Sequence, residues 1–519
     1  MAAAAPLDQV EQIVSSTWAD VLGATAPDPD ENFFALGGDS LKAVQVAARL
    51  RDVARSAEVP MSVVFLNPTI RALSTALKQG LGEAPALPPL EPRAPRDRPP
   101  LAPRQEAVWK FQRLHPDCTA FLEPIAIRLR GPLDVDAFGA SVEAVVARHE
   151  PLRTTFPSPD GRPHQRVEDA GPALRNIDVG SAEEAMALAN AEAERLFDLE
   201  REPPLHATLI RLAPDDHVAL LYTHFIVSDG WSARILLHDL GAHYSARTAG
   251  EEPDLPPLPI RYRDFAAWQR EVIASPALDP QRAFWRQELA GAEAAELRCA
   301  RPGPPSFATG HASDPWSADL WAAVQERARI EDATPFMILV AAYHLVLAAY
   351  SGSEDVVVAC PVAGRRSLEL EPLVGLFASP VMLRGILDDR PTHRALLART
   401  RETALRAFAN QDVPYAAALE RSPAAPRLDR YYFTFMDAPT AAELGGFAGL
   451  DVSLVDVPRK QIGEEISLVA WPGTDGFTIY AEFNADRFAL ADIERLLDDL
   501  RATAARGAAD PDAPAALPA

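Results

Sequence analysis

Apolar residues recur at helical spacing over residues 8 to 22, where Val10, Ile13, Val14, Trp18, Val21 and Leu22 form one stripe on an otherwise polar segment. That spacing predicts a helix with one buried face. A loop carrying Pro27, Asp28, Pro29 and Asp30 follows, and the helical pattern resumes after Ser40 through Leu41, Val44, Ala48 and Leu50. A short third helix is expected from about Pro60 or Asn67 to Lys78, with Pro68 at a tolerated early position. Beyond Leu101 the pattern mixes two periods. Residues 124 to 129, 218 to 225, 355 to 359 and 477 to 483 read as strands, and 134 to 149, 182 to 197, 231 to 247 and 334 to 350 as helices. Strand and helix do not alternate regularly, which argues against a Rossmann sheet or an eight-stranded barrel.

With 519 residues the chain exceeds one ordinary core, so two or three domains are expected. From Leu81 to Pro100 seven residues are proline, which predicts an extended, stiff spacer that keeps the first unit close to the next. Apolar residues make up 48% and charged residues 24%, as in a globular protein. No apolar run reaches about 18 residues, and the alanine-rich start lacks a basic region before an apolar core. A cytoplasmic protein with no membrane partner is expected. The formal charge of −23 argues against nucleic acid or an anionic membrane surface, which need clustered Lys and Arg. Cys118, Cys299 and Cys360 have no metal or redox spacing, so no metal site is expected and the three are read as packing residues.

The first unit carries the run FFALGGDSLKAV. Gly37 and Gly38 let the backbone approach a partner closely, and Asp39 and Ser40 stand where a helix begins, so Ser40 taken locally is either an N-cap or a modified residue. Together with the amphipathic helix before it and Val63-Val64-Phe65-Leu66-Asn67-Pro68-Thr69-Ile70 after it, this run resembles a peptidyl carrier protein of the nonribosomal peptide synthetases. The resemblance implies that a phosphopantetheinyl transferase attaches 4′-phosphopantetheine to Ser40, flanked by Asp39 and Leu41, and that an acyl thioester forms on its distal thiol.

The second unit is organised around His224-Phe225-Ile226-Val227-Ser228-Asp229-Gly230-Trp231-Ser232. Upstream lie Gln105 and Trp109 in LAPRQEAVW and the run Arg148-His149-Glu150-Pro151-Leu152-Arg153. Downstream come Tyr262-Arg263-Asp264-Phe265-Ala266-Ala267-Trp268, Pro361-Val362-Ala363-Gly364-Arg365, Val374-Gly375-Leu376-Phe377-Ala378-Ser379-Pro380 and Gln411-Asp412-Val413-Pro414-Tyr415. In this order the blocks resemble those of condensation domains, whose signature is HHxxxDG. His224, Asp229 and Gly230 match it, while Phe225 replaces the second histidine and Ser379 replaces the usual asparagine of the fifth block.

The resemblance implies a multidomain fold: a small all-α, four-helix-type carrier over 1 to 80, a proline-rich linker over 81 to 100, and an α/β condensation domain over 101 to 510. The last would consist of two chloramphenicol-acetyltransferase-like halves, about 101 to 270 and 280 to 510, meeting at a tunnel. The implied catalytic set is His224, Asp229 and Gly230, with Gly375, Ser379 and Arg365 in tunnel motifs. Asp229 would pair with an arginine that the sequence does not name, and Gly230 would permit a tight turn. If 218 to 225 is a strand, His224 and Phe225 point to opposite faces, with Phe225 toward the tunnel and His224 into the protein.

The function implied is transfer of an acyl group from the carrier to an amine, the acceptor arriving on a neighbouring synthetase module, on a separate carrier or as a free amine. Loss of the second histidine leaves two alternatives open. One is a non-catalytic condensation-like domain that recruits a trans-acting tailoring enzyme to the carrier. The other is an epimerization-type domain, with which Asp39 is compatible.

Overall fold

In the computed structural model the described residues are 8–23, 27–33, 36, 38, 40–50, 59, 63–64, 67–79, 87–94, 96–192, 194–302, 306–419, 427–436, 446–473 and 476–516. Among the described residues the carrier shows the helices α1 (Gln9–Leu22), α2 (Ser40–Arg49) and α3 (Ile70–Gln79). Asp8 caps α1, its carboxylate accepting from Val10 N and Glu11 N while Glu11 accepts from Asp8 N at 3.0 Å. This reciprocal arrangement satisfies N–H groups that a helix start otherwise leaves open. Gly23, at φ 64°, ends the helix. The predicted stripe faces a core in which Val14, Trp18, Phe33, Val46, Leu50, Ile70 and Leu73 are fully buried, except that Ile13 is turned outward and is 37% exposed.

Residues 87 to 94 form neither helix nor strand, and they do not hang free. Leu90 packs with Ile260, Tyr262 and Phe265, Trp268 Nε1 donates to Pro88 O at 2.7 Å, and Arg93 grips Glu271. The spacer is strapped to the domain it precedes. The carrier also touches that domain directly, since α2 lies against the short turn Leu368–Leu370 and Asn32 Nδ2 donates to Asp332 Oδ1 at 3.4 Å.

The first half of the large domain contains α4 (Pro103–Leu114), β1 (Leu122–Arg130), α5 (Val135–Arg148), β2 (Thr154–Thr155), β3 (Arg166–Val167), β4 (Arg175–Asp178), α6 (Ala182–Glu192), β5 (Leu205–Ala213), β6 (Asp216–His224), α7 (Gly230–Ala249) and α8 (Tyr262–Ala274). The second contains α9 (Asp279–Glu288), β7 (Thr309–Trp316), α10 (Ala318–Ile330), α11 (Pro335–Ser351), β8 (Asp355–Val362), β9 (Ser379–Ile386), α12 (His393–Ala409), α13 (Tyr415–Leu419), β10 (Tyr431–Phe435), β11 (Asp451–Leu454), β12 (Ile466–Gly473), β13 (Gly476–Asn484) and α14 (Leu490–Ala509). Two large sheets organise them, in the orders β11-β1-β6-β5-β4 and β7-β13-β12-β10-β8-β9, and β2 and β3 pair in a separate two-stranded ribbon. β11 belongs by sequence to the second half, yet it pairs antiparallel with β1, Ile127 opposite Leu454. The halves are therefore cross-linked by main-chain hydrogen bonds.

Helix α11 is buried on almost every side, and among the described residues no single helix is long and apolar enough to cross a membrane. Cys118 and Cys360 are buried and Cys299 is half-buried, all three free. Among the described residues no group of acidic, His and Cys side chains could hold a metal ion.

Candidate functional site

Strand β6 delivers the motif to the seam between the halves. It ends at His224, so Phe225 stands in the turn beyond the strand and not within it. His224 points inward as expected. Its Nδ1 accepts from Ile226 N at 3.1 Å and its Nε2 faces Gln112 Oε1 at 3.3 Å. Gln112 Nε2 donates to the carbonyls of His115, Pro116 and Cys118, which turns its oxygen to the histidine and places the imidazole proton on Nε2. Burial without a counter-charge pushes the pKa of His224 down to about 3. His224 is thus a neutral ring with both nitrogens engaged, a brace for the turn. Gln112 belongs to no sequence motif.

Phe225 is half-buried and stacks on Phe121, ring centroids 5.9 Å apart and planes at 17°. Its main chain continues the β1 ladder, Phe225 N donating to Phe121 O at 2.7 Å. Gln105 fixes the next residue, its Nε2 donating to Ile226 O at 2.8 Å while its oxygen accepts from Ala102 N.

Asp229 is the most densely bonded side chain of the site. Arg365 donates to it twice, at 2.9 and 3.1 Å, and the remaining donors are Ser232 N, Ser232 Oγ, Phe377 N and Ala378 N at 2.7 to 3.2 Å. Both charged side chains are closed off, Arg365 at 1% and Asp229 at 2% exposure. The partner left open by the sequence is Arg365, which adds bonds to Leu373 O and Ser232 Oγ and lies 4.2 Å from the Phe377 ring centroid. Burial raises a carboxyl pKa, but here the guanidinium and the hydrogen bonds win, and that of Asp229 falls below its ordinary 3.8. Asp229 also caps α7 through Ser232 N.

Gly230 does not serve the expected tight turn. It opens α7 without a left-handed backbone. A Cβ there would meet only Met436 Cε, at 3.9 Å, so the missing side chain leaves the helix start exposed rather than permitting a turn. Gly375, by contrast, is required by packing, because a Cβ would fall 2.0 Å from the Tyr262 ring, itself held by its hydroxyl to Leu376 O at 2.6 Å. Ser379 begins β9 opposite Val362, one residue past Ala378. The structure thus gathers Asp229, Gly375 and Arg365 in one cluster, with Gly230 and Ser379 each next in sequence to one of its bonded residues. His224 is set apart behind the turn.

In the carrier, Ser40 is the first residue of α2, while Asp39 lies outside the described residues and Leu41 follows within the helix. Gly38 N donates to Phe33 O at 2.9 Å, and a Cβ at Gly38 would sit 2.3 Å from the Phe33 ring. The turn before Ser40 is pinned to the core. A ten-residue helix starting at Ser40 presents the positive end of its dipole there, which suits a phosphodiester on that serine.

Comparison with known proteins agrees with this geometry. The family model for the phosphopantetheine attachment site matches residues 12–77 and that for the condensation domain residues 96–517. One of the linear gramicidin synthase subunits of Brevibacillus parabrevis is 37% identical over 509 residues, 95% of this chain and 10% of that protein. The dimodular nonribosomal peptide synthase of Bacillus subtilis (strain 168) is 33% identical over 529 residues, 98% and 22% respectively. The chain therefore spans a minor part of the relatives it matches. Among solved structures, the X-domain from teicoplanin biosynthesis superposes with a TM-score of 0.77 at 28% identity, over 82% of this chain and 98% of that one. The first condensation domain of the calcium-dependent antibiotic synthetase shares the fold, with a TM-score of 0.69 at 22% identity over 81% and 99%. The chain belongs to the condensation domain family of the nonribosomal peptide synthetases, with a carrier for covalent 4′-phosphopantetheine directly ahead of it.

Proposed function

We propose that this chain moves an acyl group from its own carrier to an amine, forming an amide at the seam between the two halves. The observation that carries the reading is the intact Asp229–Arg365 cluster, which holds the open helix start at Gly230 in one place. When bound to Ser40, 4′-phosphopantetheine supplies a flexible arm ending in a thiol that carries the acyl group as a thioester. Asp229 fixes the first turn of α7, and the unhindered backbone at Gly230 presents the positive end of a 20-residue helix where charge develops on a carbonyl oxygen. Phe225 and Phe121 stack on each other just past the end of β6.

Losing a histidine at position 225 does not abolish such chemistry. A positioned general base contributes about 10²- to 10⁴-fold, whereas holding the reactants in place supplies effective molarities of about 10⁵ to 10⁸ M. The test is intact-protein mass spectrometry on chain loaded by a phosphopantetheinyl transferase, followed in time with amine acceptors, beside Ser40→Ala and the isolated carrier. Acyl loss to the amine faster than from the isolated carrier is the expected result. Equal rates would remove the reading.

One observation favours a second reading. The X-domain from teicoplanin biosynthesis, solved also in complex with OxyB, matches with a TM-score of 0.75 at 28% identity. A condensation-like domain that recruits a tailoring enzyme to the carrier would need no base at position 225. Recovery of such an enzyme with the Ser40-modified chain, and not with Ser40→Ala, together with absent acyl transfer, would favour it.

A further inference from the structure

We propose that Glu123 is the group that meets the amine, accepting its proton where Phe225 cannot. The inference rests on the acyl-transfer reading and deepens it to a single side chain.

Glu123 lies near the start of β1, directly opposite Thr223 of β6. The ladder runs one step past the end of β6, through Phe225 N and Phe121 O, so Glu123 is the diagonal neighbour of Phe225. Such positions are about 7–8 Å apart, within reach of a long side chain. A carboxylate thus stands beside the residue that replaces the second histidine. About a quarter of its side chain, 28%, is exposed.

Its bonding is unusual for an acid in such a place. Among the described residues its ion-pair partner is Arg459, at 3.7 Å, too far for a hydrogen bond. Arg459 is instead committed to Glu482 of β13, donating to both carboxylate oxygens. The two acids diverge accordingly. Arg459 and its hydrogen bonds draw the pKa of Glu482 down despite burial. For Glu123 burial dominates and raises the pKa, Arg459 opposing and the Glu482, Glu464 and Asp229 carboxylates adding to the rise. Tyr222 of β6 feels the same charge. Glu123 is therefore a carboxylate without a hydrogen bond among the described residues, accessible to a ligand, with its proton affinity shifted toward that of a working base.

The step balances without a further reagent. The amine nitrogen attacks the thioester carbonyl carbon and the C–N bond forms. Its surplus proton passes to the Glu123 carboxylate. The C–S bond breaks with its electron pair on sulfur, which takes the proton from the Glu123 carboxyl. One amine proton thus ends on the thiol, and Glu123 is regenerated. An amine that arrives protonated meets the same carboxylate as an ammonium group.

The test has a binding arm and a turnover arm. In the Ser40→Ala chain, which takes no arm, the Kd of alanyl-N-acetylcysteamine is compared with that of its N-acetylated form, which has no basic nitrogen. Glu123→Gln is expected to raise the first Kd about tenfold and leave the second unchanged. In the loaded chain, Glu123→Gln is expected to slow single-turnover transfer to the alanyl probe by about 10²-fold, Glu123→Asp to retain part of the rate, and Phe225→His to restore activity in the Glu123→Gln background. The wild-type rate should fall as pH drops below the raised pKa of Glu123, and that limb should vanish in Glu123→Gln. Equal Kd values for wild type and Glu123→Gln overturn the inference, as does an unchanged rate with an unchanged pH profile. A wild type that transfers nothing while the Kd difference persists refutes the acyl-transfer reading and leaves the amine contact standing.

Discussion

Replacing Asp229 by Asn keeps the shape of the side chain and removes its charge. Six donors converge on this carboxylate: two from Arg365, two from Ser232, and the N–H groups of Phe377 and Ala378. An amide offers one acceptor oxygen and turns an NH₂ toward groups that are themselves donors. The guanidinium of Arg365, 1% exposed, keeps Leu373 O and Ala363 O but loses its counter-charge. Stranding a buried charge costs about 3–5 kcal/mol. Because Asp229 belongs to the first half and Arg365, Phe377 and Ala378 to the second, the loss falls on the contact between halves. Urea unfolding followed by tryptophan fluorescence measures it. Trp231 is a suitable reporter, since its Nε1 donates to Glu371 O at 3.0 Å and its ring lies 5.5 Å from the Arg365 guanidinium. Asp229→Leu combined with Arg365→Met should cost less than Asp229→Leu alone, because an apolar pair strands no charge. The wild-type contribution is also pH-dependent. The folded pKa of Asp229 lies below the ordinary 3.8, so the stabilisation is complete above that value and lost as pH falls through the folded pKa. A cost under about 1 kcal/mol for Asp229→Asn would refute the assignment of this cluster as the clamp between halves.

His224 is expected to act on stability and not on the chemical step. His224→Ala should destabilise the fold by about 1–3 kcal/mol, the cost of leaving buried partners unsatisfied, with transfer per folded molecule unchanged in the mass-spectrometric assay. A folded pKa of about 3 against an ordinary 6.5 means that the unfolded chain binds the extra proton first. Wild type should therefore lose stability between about pH 6.5 and 3 more steeply than His224→Gln, as acid titration of the unfolding midpoint would show. Gly375→Ala should lower the melting temperature, costing about 1–3 kcal/mol, because the Tyr262 ring it would strike is held in place by its hydroxyl bond to Leu376 O. Gly38→Ala drives a methyl against the Phe33 ring and its carbonyl oxygen, at 2.3 and 2.6 Å. It should slow modification of Ser40 by roughly tenfold, while the melting transition of the large domain stays in place.

Periodicity reveals elements, and motif order reveals the family, because both are written locally. Long-range pairing is not. Asp229 and Arg365 stand 136 residues apart, and nothing in either block names the other, although both blocks are legible. The helix predicted over 182 to 197 ends at Glu192 for a related reason. Phe197 and Leu199 continue an apolar spacing, but they are buried under the sheet from an irregular segment, with Phe197 stacked on His206 at 4.1 Å. Prolines mark the linker in the sequence; its anchoring by Leu90, Pro88 and Arg93 depends on a surface 170 to 180 residues away.

Position 225 shows the same limit in its functional form. The sequence exposes the departure at once, because Phe stands in a motif built around His, and on that basis alone the site reads as weakened. Register changes the inference. Strand pairing sets Glu123 diagonal to Phe225, in a run, Leu122-Glu123-Pro124-Ile125, where a single acid among apolar residues gives no sign of facing a seam. Whether a site has lost its base is a question about the residues around the altered position. Here a candidate is a carboxylate whose charged partner among the described residues, Arg459, is committed elsewhere. A domain kept only as a spacer has no use for a half-buried acid held in that state, since partly burying a weakly paired carboxylate costs stability. The persistence of that cost at the mouth of β6 is what ties the altered motif to continued chemistry, and replacing Glu123 with Gln measures it: a stabilised fold with slower transfer is the signature of a residue held for function.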